Sequence, residues 1–358
     1  VNLIPSIRCL IGILLVSITT AHAQRRPQTA PTWKLLWQTE SRFTSVGSAR
    51  VFGDGSLLIA DPGANQLFRV SKEGTSVDAL GRVGSGPAEF RQAQSVQAAV
   101  NGVALLTDPR LQRFVVIDST GQFGKVIPFP PSSSGLSGRV VSDRMGHVYF
   151  ISLSGDPARR DVGLFRWNVN GGNLENLANL IGPQLMEIPL SAEAKAQRTV
   201  SRRFMIVPYA PMDGFTALAN GELVVVRGET ARVEWLNAKG SVIASRALPS
   251  PARVNVTTQE KERVRPLELR NAVPQKRLTV DVEFIVASDD GDLWLPIPAP
   301  RTAKVTEWIV MNRSREGSRT VRIPGNVRLI AVERQTVYVV AHNDDDLEQV
   351  QAFVLSNK

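Results

Sequence analysis

The sequence predicts an all-β fold: a six-bladed β-propeller of four-stranded antiparallel blades, formed as a single domain by residues 24–358. Three observations lead there. A strand-and-turn unit repeats along the chain, a turn glycine recurs at one position of that unit, and an orphan strand at the beginning complements an incomplete unit at the end.

The first 23 residues are read as a secretory signal peptide. Arg8 is the only charge before the apolar run CLIGILLVSITT, and Ala21-His22-Ala23 follows as a small-x-small cleavage site. The run falls short of the roughly 20 residues that a membrane-spanning helix needs. Cleavage is expected after Ala23, with periplasmic or secreted residence. No later apolar run is long enough to span a bilayer. Cys9, the only cysteine, leaves with the signal. The mature chain then has no disulfide and no thiol nucleophile, and it rests on burial alone.

The next segment, TWKLLWQTE (32–40), is a strand without a local partner. The repeat begins after it. GDGSLLIADPGANQLFRVSKEGTSV from Gly53 aligns without a gap on VNGVALLTDPRLQRFVVIDSTGQFG from Val100, matching Gly55 with Gly102, Asp61 with Asp108 and Gly74 with Gly121. Looser copies follow around Gly146, Gly221, Gly291 and Thr336, so that the six anchors from Gly55 onward are spaced by 47, 44, 75, 70 and 45 residues. Three spacings lie close to the roughly 40–45 residues of a propeller blade, and the two long ones carry insertions. Within each copy, apolar runs of about six residues are separated by DG, NG, MG or KG turns, where glycine tolerates positive φ. Val, Leu, Ile, Phe and Trp fill the runs, as suits strands packed between neighbouring sheets. The sixth copy ends after its third strand, VQAFVLSNK. The strand at 32–40 supplies its fourth, closing the ring without an exposed edge.

LLIADPGANQLFRV followed by GRVGSGPAEF resembles the NHL-repeat type of six-bladed propeller, most strongly over residues 50–125. That resemblance implies the fold. The family houses binding scaffolds and a minority of enzymes, so it does not imply one activity. Calcium-dependent lactonases of this fold set Glu, Asn and Asp around the channel, and no matching set is found in the inner strands here.

The glycines of LGRVGSGPAEF (80–90) raise the question of a phosphate loop. Such a loop needs a following helix with Lys and Ser/Thr. Here RQAQSVQAAV follows, which reads as a strand. The stretch is therefore read as the crossing between blades 1 and 2, with Phe90 plugging the seam.

Candidate chemistry is sparse. His147 opens one strand and His342 closes an equivalent one, so they are expected at opposite ends and cannot share a metal. Asp61 and Asp108 occupy the position where the second strand of a blade meets its loop. Ser152, Arg227, Ile297 and His342 are their equivalents, and all six are expected on one face. Asp in an Asp-Pro turn commonly caps backbone N–H groups. The acidic run HNDDDLEQ, with Asp344, Asp345, Asp346 and Glu348, lacks the spacing of a calcium loop. No nucleophile elbow occurs. No resident cofactor is expected, and calcium is the metal to consider if one is held.

The insertions at about 182–213 and 250–281 follow the outer strands of blades 3 and 4 and are expected on the same face as Asp61. LSAEAKAQRTVSRRF reads as a basic helix capped by Ser191, and TTQEKERVRPLELRNA as a charged helical stretch broken at Pro266. Arg202, Arg203, Arg263 and Arg265 would make this face positive. The net charge of +9, or +8 after signal cleavage, agrees with anionic partners, although no nucleic-acid motif accompanies it. The reading is an exported binding scaffold, expected to be a monomer. It would recognise a protein, peptide or anionic glycan through Asp61, Asp108, Arg227, His342, Arg202 and Arg203. The alternative is a metal-dependent, lactonase-like hydrolase or lyase with its site at the channel mouth.

Overall fold

The computed structural model describes residues 32–40, 42–98, 102–130, 139–152, 159–189, 202–343 and 345–356. The expected signal segment, Asp344 and the Ser191-led part of the first insertion lie outside these residues.

Six four-stranded antiparallel sheets form a ring of blades. Blades 1 to 5 each run through consecutive strands, from innermost to outermost, beginning at Ser48, Ser95, Val140, Gly214 and Val286. Blade 6 takes Val327–Glu333, Thr336–His342 and Glu348–Ser356 from the end of the chain and Thr32–Gln38 from its beginning. That last pairing is antiparallel, with Thr32 opposite Ser356 and Gln38 opposite Gln351. The ring is thus closed by the strand read from the sequence as an orphan.

The second strand of each blade shows why its apolar run is unbroken. In Leu57–Asp61 every residue is buried. Leu57 and Ile59 pack toward blade 6, while Leu58 and Ala60 pack toward blade 2. Successive side chains leave opposite faces of a strand, so a sheet covered on both sides needs apolar residues at both phases. In blade 4, Leu223 and Val225 face blade 3, and Val224 and Val226 face blade 5. Six such apolar clusters fill the six seams.

The glycine-rich stretch lies in the crossing between blades 1 and 2. Its two short strands, Arg82–Val83 and Glu89–Phe90, pair in parallel. Phe90 is fully buried in the seam cluster of blades 1 and 2. Gly81 has φ +66°, and a Cβ there would lie 2.6 Å from the Phe123 ring. The Gly86 N–H, the kind of donor a phosphate would need, is taken by Glu89 Oε2 at 2.7 Å. The chain supplies its own carboxylate to this loop.

The sixth blade replaces the turn glycine with Arg334-Gln335, and Arg334 adopts φ +53°. The tight turn imposes the left-handed conformation on a side chain that tolerates it at some cost.

Candidate functional site

In each blade the loop after the second strand and the crossing to the next blade emerge on the same face of the ring. Asp61, Asp108, Ser152, Arg227, Ile297 and His342 each end a second strand on this face. The two acids do the same local work. Asp61 is fully buried and accepts from the backbone N–H groups of Thr44 (2.7 Å), Ser45 (2.9 Å) and Ala64 (3.0 Å). Asp108 accepts from Arg91 and Gln92, both at 3.1 Å, and lies 3.6 Å from Arg113 Nε. Each carboxylate pins the crossing that enters its blade to the loop that leaves it.

Blade 4 reverses the roles. Arg227 stands at the Asp61 position, and the acid, Asp213, comes from the crossing instead. Asp213 accepts from the Gly228 N–H at 2.9 Å and from Arg227 Nη1 at 2.9 Å, while Arg227 Nε donates to Glu234 at 2.7 Å. In blade 6, His342 lies 3.2 Å from Glu348, and buried Glu348 accepts from the Val46 N–H. The structure therefore brings Asp61, Asp108, Arg227 and His342 to one face, each already engaged by neighbouring groups of the ring. His147 opens its strand at the other face, where its Nδ1 lies 2.9 Å from buried Asp143. Among the described residues no group of three or more His, Cys, Asp or Glu side chains could hold a metal ion.

The insertions give this face its relief. Between Ile181 and Gly214 the described part is a hairpin, Leu185–Ile188 with Arg203–Ile206. The Arg203–Phe204 end of the expected basic helix is thus a strand. Its alternating residues pair with LMEI, and Phe204 and Met205 are half-buried. The remainder of that expected helix lies outside the described residues. The second insertion holds an α-helix, Thr258–Arg263, and a 3-10 helix, Leu267–Ala272, separated at Pro266. Thr257 and Glu260 form a reciprocal capping box.

The sequence did not indicate that the two insertions share a core. Ile188 and Val207 from the first pack with Val256, Val264, Leu269 and Val273 from the second. Arg277 binds Glu260 at 2.9 Å and lies over the Tyr209 ring at 6.0 Å, tying the same two segments together. Arg253 anchors the unit to the blade-4 loop through the Gly228 and Glu229 carbonyls, at 2.6 and 2.9 Å. The product is one wall over blades 3 to 5. Arg202, Arg203, Arg263 and Arg265 are exposed on it.

The wall's second segment descends through Asp281, Glu283 and Phe284 into the inner strand of blade 5, at the mouth of the central channel. The channel encloses about 590 Å³ and is lined by the inner strands of all six blades. Arg139 reaches from blade 3 to the Glu283 and Ile285 carbonyls. Burial pushes its guanidinium down to about 10 despite the nearby Asp281 and Glu283 charges. Arg328 lies 5.9 Å over the exposed Phe284 ring and 3.7 Å from Glu348. Burial lowers its pKa as well.

Fold and face together define a six-bladed β-propeller with a walled, arginine-bearing channel mouth. No protein-family model matches the chain, and no match is found among curated proteins. Solved structures are similar in shape. One is a Bacteroides fragilis NCTC 9343 protein described as exported, with a TM-score of 0.53, 11% identity, and 91% of this chain covered against 95% of that one. Another is U3-55K, with a TM-score of 0.50, 11% identity, and 90% and 98% covered. A third is virginiamycin B lyase from Staphylococcus aureus, with a TM-score of 0.48, 12% identity, and 91% and 100% covered. Likeness at such identities establishes the fold alone.

Proposed function

We propose that this protein is an exported, NHL-like propeller that acts as a monomeric binding scaffold, holding an anionic peptide, protein or glycan against the walled face. The observation that carries this reading is the shared apolar core of the two insertions. A pair of independent surface loops needs no common core. A core that costs ordered chain is explained by the surface it holds in place. That surface presents Arg202, Arg203, Arg263 and Arg265 beside a channel mouth already bearing Arg139 and Arg328. Planar guanidinium groups suit carboxylates, sulfates and phosphates, which they bind in bidentate fashion.

Calorimetric titration of residues 24–358 with a polyglutamate peptide and a polyuronate oligosaccharide tests it. Binding of at least one is expected, weakening as salt rises because the contacts are exposed. The combined Arg202→Ala, Arg203→Ala and Arg263→Ala variant should lose about tenfold in affinity, at up to about 1 kcal/mol for each exposed contact. Salt-independent binding, or no binding of either probe, removes this reading.

A further inference from the structure

The channel below the mouth contains arginine donors that the protein itself leaves unused. Arg50, on the inner strand of blade 1, and Arg139, at the start of the inner strand of blade 3, both line the cavity. The Nε of each is buried and finds no acceptor among the described residues. Arg69 and Arg113 also leave Nε unpaired but bond through their Nη groups, whereas no Arg50 nitrogen has an acceptor among the described residues, and a buried polar group left so needs an account. Arg139 commits its two Nη groups to carbonyls of blade 5. Arg50 is less provided for. Its neighbour Arg144 is engaged by Asp289, and no hydrogen bond joins Arg50 to Asp289 or Glu333, although both charges lie near enough to act on it. Burial first, and then the Arg144 charge, hold the Arg50 guanidinium below its ordinary range. Arg50 thus has carboxylate charges nearby but no hydrogen-bond acceptor among the described residues.

The orphaned atoms are donors, so the missing partner brings acceptors. It must also fit within about 590 Å³, which excludes a polymer and admits a small molecule. The two ends of the channel differ. Arg139 closes the wall side, and Arg144 with Asp289 bridges blades 3 and 5 at the other. Arg50 lies toward the second end, where the Ser142 hydroxyl is not free because it donates to the Ala98 carbonyl. This leaves Arg50 as the anchoring donor in the lower channel.

We propose that the central channel is a second binding site, separate from the walled face, for a small carboxylate seated on Arg50. A carboxylate would accept from the two Nη groups end-on, a bidentate geometry that guanidinium favours, and would supply the acceptors that Arg50 lacks. The low-dielectric strands around it would strengthen the contact relative to water.

The experiment is calorimetric titration of the mature chain with sodium acetate, sodium succinate and sodium phosphate at constant ionic strength, with melting temperature followed in parallel. Saturable one-to-one binding of acetate or succinate, with a raised melting temperature, is expected. Arg50→Met should lose at least tenfold in affinity, because it removes the donors on which the carboxylate is seated. Arg50→Lys keeps the charge but not the fork, and should also weaken binding, so the proposal stays open to test if the methionine variant folds poorly. The Arg202→Ala, Arg203→Ala variant should bind the small carboxylate like the parent, which separates this site from the walled face. Absence of saturable binding, preference for phosphate over both carboxylates, or parental affinity in both Arg50 variants would overturn it.

Discussion

Glu348, on the third strand of blade 6, accepts a hydrogen bond from the backbone N–H of Val46 at the entrance to blade 1. The two residues lie at opposite ends of the described chain. The contact, together with the buried bond from the Val350 N–H to Thr39 Oγ1 at 3.0 Å, seals the seam where the ring closes. Glu348→Ala leaves the Val46 N–H without its acceptor and deprives His342 and Arg328 of a neighbouring charge. A loss of about 1.5–3 kcal/mol is expected in urea unfolding, the range for hydrogen bonds to charged groups. Glu348→Gln, which retains an acceptor, should lose less.

Asp61 performs the same service within blade 1. Asp61→Ala strands the N–H groups of Thr44, Ser45 and Ala64. The expected cost is about 2–3 kcal/mol, and Asp61→Asn should recover part of it by keeping one acceptor oxygen. Hydrogen exchange at Thr44 and Ser45 reads the effect locally.

Phe90 fills the seam between blades 1 and 2, and the Phe123 ring crowds the same crossing at Gly81. Phe90→Ala should cost about 3–5 kcal/mol, measured as a shift of the denaturant midpoint without change of slope.

Leu269 is buried in the core shared by the two insertions. Leu269→Ala should cost about 2–5 kcal/mol within the wall. Because none of the six seam clusters includes it, the ring should keep its melting temperature while residues 258–272 become sensitive to protease. A single cooperative loss of ring and wall together would contradict a wall with its own core.

Glu333 holds its carboxyl above the usual 4.5, through burial first and the neighbouring Asp289 charge second, with Arg50, Arg144 and Arg334 opposing. The folded state therefore binds its proton at a higher pH than the unfolded chain does. Stability from this group rises as pH falls through the folded value, and the gain is complete below the unfolded value near 4.5. Glu333→Gln should flatten that rise in denaturation midpoints measured between about pH 4.5 and 7, and should be the more stable protein at pH 7.

The sequence by itself determined the ring. The apolar strand runs and their turn glycines set blade number and phase, because a strand buried on both faces must be apolar throughout and a tight turn needs positive φ. The unpaired strand at 32–40 followed from counting. It also placed Asp61, Asp108, Arg227 and His342 on one face, since strand direction alternates strictly within a blade. Only the tertiary structure decided what those residues touch. Asp61 turns inward to N–H groups 16 and 17 residues away, Arg227 takes its acid from the preceding crossing, and Val207 meets Val273 across blade 4. The same holds for Arg50 and Arg139 in the channel. Each reads in sequence as an ordinary charged residue, and its unpaired donor arises from which inner strands face each other across the axis. Local periodicity reports a residue's own strand and phase. Contacts between segments far apart in the chain depend on ring closure, which no short stretch encodes.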